Sequence, residues 1–112
     1  MIQVNGLSRI HSSKIGSVGI DDSVKYFDLD LKKYHTGDSV KLSSQPKSIA
    51  HCGSVTAVVT VDSVVLMRDG SVTLQQKLDF EPSCIALKSE TEMVIGEASA
   101  GFNLFVYEVS YL

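Results

Sequence analysis

The sequence predicts an all-β chain: a partial β-propeller of two complete four-stranded blades and a third that lacks its outer strand. Three observations predict it. Residues of high β-propensity come in short bursts, such as "SVKYFDL", "SVTAVVTV" and "NLFVYEV", punctuated by Gly, Ser, Asp and Pro. No window of about eleven residues carries a helical period. The bursts also repeat. "QPKSIA" at 45–50 returns as "EPSCIA" at 81–86, and Phe27, Met67 and Tyr107, spaced by 40, each close an apolar strand before a polar residue. A period near 40 built from four strands is a propeller signature rather than that of a sandwich or closed barrel.

In that register the chain, 1–112, is one propeller segment with about eleven strands. The first blade, 4–44, takes strands 4–10, 14–20, 23–29 and 39–44. Its third strand alternates, with Val24, Tyr26 and Asp28 on one face and Lys25, Phe27 and Leu29 on the other. The polar stretch "LDLKKYHTGD" reads as a long loop on the rim opposite the blade's second turn, where Tyr34 and His35 would be available for an accessory contact. The second blade, 46–78, takes 46–52, 54–61, 63–68 and 71–78. Its "SVTAVVTV" and "SVVLMR" are apolar on both faces, as strands packed between two layers must be. The third, 82–109, takes 82–88, 92–98 and 103–109 and then stops, so the chain reads as a fragment.

Composition narrows the function classes. A net charge of −3 argues against nucleic acid, which favours a basic face. No apolar run approaches the roughly 20 residues that span a bilayer, and "MIQVNGLSRI" lacks the pattern of a signal peptide. Cys52 and Cys84 make no disulfide framework and read as reduced, mostly buried thiols of a cytosolic protein. With His11, His35 and His51 they are the only soft metal-ligand candidates, and their spacing matches no zinc motif. His51 and Cys52 are strand neighbours whose side chains point to opposite faces. The glycines form no phosphate loop, and Cys84 has no sequence-visible base, so neither a cofactor nor an enzymatic activity is expected.

In a well-formed WD repeat, a turn Asp six residues before a Trp bonds into a network that staples the blade. Asp21 stands six before Phe27, a ring without an N–H to donate. Val61 with Met67 and Gly101 with Tyr107 occupy those places in the later blades, which leaves these blades to hold by packing.

The segment "NGLSRIHSSKIGSVGIDDSVKYFDLDLKKY", then "KLSSQPKSIAHCGSVTAVVTVDSVVLMRDGSV" and "EPSCIALKSETEMVIGEASAGFNLFVYEVS", resembles one family. It is similar to actin-interacting protein 1, also called WD repeat-containing protein 1. The most specific parts are the "DDSVKY" turn and strand, "KLSSQP", and "EPSCIAL". The resemblance implies consecutive blades from the second of two WD-repeat propellers. It also implies actin and cofilin (ADF) as partners, a role in cofilin-dependent filament disassembly, and a cytoplasmic place on the actin cytoskeleton. The "EASAGFN" turn is longer than the family pattern.

Partner contacts on such a scaffold are expected on loops at one rim. By the strand order that rim carries Asp21, Asp22, 43–47, Asp62, 79–83 and 97–102. Lys47, Glu81 and Phe102 are the foremost candidates because they combine reach, charge or an aromatic anchor with a rim position. The competing expectation is a set of purely structural blades that touch no partner. Open blade faces and an uncovered edge also predict that the isolated chain self-associates.

Overall fold

The computed structural model describes residues 3–35, 37, 39–98 and 103–109. Among them the chain is all-β, with antiparallel sheets stacked face to face as the blades of a partial WD-repeat propeller. The first blade holds β1 (Val4–His11), β2 (Lys14–Gly19) and β3 (Ser23–Asp28), with β4 (Lys33–Tyr34) and β5 (Val40–Lys41) both paired to β3. The second holds β6 (Pro46–Cys52), β7 (Val55–Thr60), β8 (Ser63–Arg68) and β9 (Ser71–Lys77) in that order. The third holds β10 (Pro82–Leu87), β11 (Glu92–Glu97) and β12 (Leu104–Glu108). The β8–β9 turn follows from its sequence: Asp69 and Gly70 both have positive φ, 54° and 78°, the geometry of a two-residue hairpin turn.

The core lies between the blades. Val18, Val24 and Tyr26 of the first blade meet Ile49, Val58, Val65 and Met67 of the second. The other face of the second blade gives Val55, Ala57, Val59, Val64 and Leu66, which meet Ile85, Met93 and Ile95 of the third. The strict alternation of β7 and β8 produces both layers, because neighbouring residues on a strand serve opposite interfaces. Glycines set the closeness of the first interface, where a Cβ on Gly6 would come within 3.3 Å of Val18 and 3.4 Å of Ile49.

The 40-residue spacing has a directional meaning in three dimensions. Met67 points back into the first blade, and Tyr107 packs back against the second. Phe27 takes the ring of Tyr34 from its own blade edge-on, at 5.2 Å between centroids.

Three expectations need correction. The stretch read as a rim loop contributes β4, whose Tyr34 pairs with Phe27, so the outer strand of this blade is broken into β4 and β5. His35 turns back as well: its N–H bonds the Tyr26 carbonyl at 2.8 Å and its Nε2 lies 3.7 Å from the Asp28 carboxylate. Sequence polarity suggested a loop because both strands are two-residue ladders at an exposed edge, too short to alternate visibly. The thiols are also less buried than expected, since Cys84 is exposed and Cys52 half-buried.

Leu66 lies fully inside the second interface. Leu66→Ala should lower the unfolding free energy by about 2–5 kcal/mol, whereas Val72→Ala on exposed β9 should change it by less than about 0.5 kcal/mol. Urea denaturation of both variants checks the contrast.

Candidate partner-binding rim

One end of the stack is built by the same backbone bond three times. The N–H of Ile20 bonds the Gln3 carbonyl at 3.0 Å, Val61 bonds Gln45 at 3.0 Å, and Ala98 bonds Glu81 at 2.8 Å. In each blade the residue leaving the second strand is thereby tied to the residue entering the first. Gly19 permits this in the first blade, because a Cβ there would collide with the Gln3 carbonyl oxygen. A second repeated bond joins Leu42 to Asp22 and Leu78 to Asp62.

Each innermost strand then carries a β-bulge at its second residue. The register slips between Val4 and Gly6, between Pro46 and Ser48, and between Pro82 and Cys84. Asn5, Lys47 and Ser83 are the extra residues, freed from pairing and re-aimed by the bulge. With Gln3 and Gln45 they line an open depression of about 410 Å³ where the innermost strands meet the rim. Asn5 donates to the Pro46 carbonyl at 3.1 Å, which links the first two bulges. Lys47 reaches Glu81 at 3.4 Å, which links the second blade to the strand entry of the third.

The structure therefore brings Lys47 and Glu81 together and shows Lys47 on a strand bulge rather than in a loop. Phe102 lies outside the described residues. Asp21 sits on the same rim in the β2–β3 turn, held by Lys25 at 2.6 Å and Ser23 at 2.9 Å. Asp22 serves through its backbone: its φ is 57°, and its carbonyl accepts from Leu42 at 2.8 Å. Sequence reasoning missed Gln3 and Asn5. They are the first copy of the "QPK" and "EPS" repeat, hidden because Val4 stands where the others have Pro.

The turn network that the sequence denied to the second blade is present one residue later. Thr60, fully buried, bonds Ser63 Oγ at 2.7 Å, Asp62 Oδ1 at 3.2 Å and Ser44 Oγ at 2.8 Å. Ser44 also donates to Asp62 at 3.1 Å, so the network crosses from the linker into the blade. Spacing from Asp21 points to Val61, whereas the acid in place is Asp62.

The opposite rim holds a clasp between the second and third blades, beside an open depression of about 640 Å³ between the first two that is lined by His11, Lys14, His51, Ser54 and Asp69. Glu90, in the β10–β11 turn, accepts from both the N–H and the hydroxyl of Ser54 at 2.7 Å, and Arg68 stands 3.8 Å away. His51 uses both ring nitrogens locally, on Gly53 O and Thr56 Oγ1 at 2.8 Å each. No group of three or more His, Cys, Asp or Glu side chains suited to a metal occurs among the described residues.

Carboxylates at both rims are held below the usual range. Lys25 does this for Asp21, the Leu31 and Asp30 N–H groups for Asp28, the Ser44 hydroxyl for Asp62, and the Ser54 N–H for Glu90. Each of these groups takes up its proton at lower pH in the folded chain than in the unfolded one. Their contribution is therefore complete above the ordinary carboxylate pKa and is lost as pH falls through the lowered folded values. Thermal melts from neutral to acid pH should show a falling midpoint below roughly pH 4.5, with a shallower fall in Glu90→Gln. Thr60→Val should cost about 1–3 kcal/mol in urea denaturation, because it strips the Asp62 and Ser63 groups of their common partner.

No protein-family model matches the chain. Individual relatives do. The chain is 32% identical over 107 residues to WD repeat-containing protein 1 of Xenopus tropicalis, covering 92% of this chain and 18% of that protein. It is 30% identical over 106 residues to WD repeat-containing protein 1-B of Xenopus laevis, with the same coverage. A 66 kDa stress protein of Physarum polycephalum is 24% identical over 99 residues, 86% of this chain and 16% of that protein. The chain thus spans less than a fifth of the length of these relatives.

Proposed function

We propose that this chain, which belongs to the WD repeat-containing protein 1 family, forms part of a protein-binding scaffold that promotes cofilin-dependent disassembly of actin filaments. The observation that carries the reading is a similarity that runs through 92% of the chain rather than through one motif. Actin and cofilin enter from the sequence resemblance, and so does a place in the cytoplasm on the actin cytoskeleton.

The rim supports a binding role in physical terms. Its backbone is closed by bonds that involve no rim side chain, so Gln3, Gln45, Lys47, Glu81 and Ser83 are presented on a fixed frame. A partner pays little ordering entropy to meet side chains held on such a frame. The work on the filament is then mechanical, by protein contact, and needs no reacting group.

One observation favours the alternative of purely structural blades. Lys47 and Glu81 satisfy each other, and Asp21 is held by Lys25, so the candidate charges already have uses within the chain. Pelleting with bare and cofilin-decorated filaments separates the two. The chain should pellet with decorated filaments, and Lys47→Ala, Glu81→Ala or Phe102→Ala should weaken this about tenfold, a loss of about 1.4 kcal/mol, with little change in melting midpoint. Undiminished pelleting of all three variants would assign the rim a structural role. Failure of the parent chain to pellet would remove the proposal for this segment.

A further inference from the structure

We propose that the depression between the first and second blades, on the rim opposite Lys47, binds the carboxylate of a glutamate presented by an extended segment of another protein. It holds about 640 Å³, and every described residue that lines it belongs to the first two blades. The chain itself shows what such a notch takes. At the next junction the same place is filled by Glu90, which accepts from the N–H and the hydroxyl of Ser54 at 2.7 Å beside Arg68.

The step of 36 residues that carries "QPKSIA" to "EPSCIA" carries Ser54 to Glu90. A serine therefore stands where the second blade would offer its acid to the first. The turn that holds it is also shorter. Cys52 pairs with Val55 across Gly53 and Ser54 alone, whereas the Lys88 N–H bonds the Glu92 carbonyl across Ser89, Glu90 and Thr91. The shorter turn and the missing acid leave the notch open between the blades.

The first blade supplies the cation. Lys14 begins β2 on the face it shares with Tyr26, and its ammonium stands 4.5 Å from the centre of the Tyr26 ring. Among the described residues it has no carboxylate partner. The ring holds the ammonium in place, so less side-chain entropy is lost when an anion meets it. His11 lines the same depression. Its Nδ1 accepts from the Ser13 N–H at 3.3 Å, which leaves the proton on Nε2 as a second donor. Asp69, from the β8–β9 turn, sets the limit on charge. It repels a dianion such as a phosphate ester more than a monoanionic carboxylate. One cation, one further donor and one opposing acid together fit a single carboxylate. The proposal is independent of any actin or cofilin contact at the other rim.

Amide NMR spectra of the isotope-labelled chain test it, by titration with the peptide acetyl-Gly-Ser-Glu-Ser-Gly-amide. Concentrations up to about 5 mM are needed because one ion pair gives weak affinity. The amide signals of His11, Lys14, Gly53 and Ser54 should shift and saturate. The same peptide with glutamine in place of glutamate should leave them where they are. Lys14→Met, which keeps an apolar stem on Tyr26, should weaken binding about tenfold with an unchanged melting midpoint, and Lys14→Arg should restore it. The glutamine comparison uses the parent chain, so it decides the matter whether or not a variant folds. An equal response to both peptides overturns the proposal, as does the lack of any saturable shift. So does undiminished binding by Lys14→Met, and so does tighter binding of a peptide with phosphoserine in place of glutamate.

Discussion

The structure depends on the second blade being covered on both faces. A four-stranded sheet whose central strands read "VTAVVT" and "SVVLMR" has no polar side to offer water. Its β7 is buried at every position and β8 at all but the last. Such a sheet is stable only as the middle of a stack, and the flanking blades are shaped by that need. Each contributes one apolar layer: Val18, Val24 and Tyr26 on one side, Ile85, Met93 and Ile95 on the other. The hydrophobic term is non-directional, so it fixes that the blades stack without fixing how they are turned. Register comes from elsewhere.

It comes from the two rims, which use different chemistry for the same purpose. At one rim the backbone closes each blade, and the bulged Asn5 and Lys47 reach across to the next strand entry. At the other, the Glu90 carboxylate bridges to the Ser54 turn and Arg68 of the neighbouring blade. Charge-assisted bonds of this kind demand particular geometry, whereas the apolar layers between them tolerate sliding. The buried Thr60 is the inward extension of the first rim. It converts a turn acid, a linker hydroxyl and a strand hydroxyl into one satisfied cluster.

Most of the fold was legible in the sequence because the signals are repeated. The alternation in β3, the doubly apolar β7 and β8, and the returning "QPKSIA" and "EPSCIA" each point to stacked antiparallel blades. What was not legible has a common cause: it depends on a single residue of register. The β4 ladder is too short for a period to show. The spacing of the repeat from Asp21 places the second blade's acid at Val61, while the structure uses Asp62. The sequence places Lys47 at a rim loop, yet a bulge within β6 gives it its rim position. A bulge leaves no compositional mark, so the third member of that series, Asn5, was invisible beside a Val where its counterparts follow Pro.

The replacement of the WD staple follows from the same division of labour. A ring N–H from Trp is one way to lock a blade's third strand, and this chain has no Trp. Phe27, Met67 and Tyr107 occupy that place and act by filling space, Phe27 against Tyr34 of its own blade and the other two toward the blade behind them. Packing of that sort accepts an aromatic ring or a thioether with little penalty, because volume matters more than a donor. The polar lock has moved to the turns, where Asp21 with Ser23 does the work in the first blade and Asp62 with Thr60 in the second. Once orientation rests on backbone closure and turn polars, the strand-end residue is released to vary.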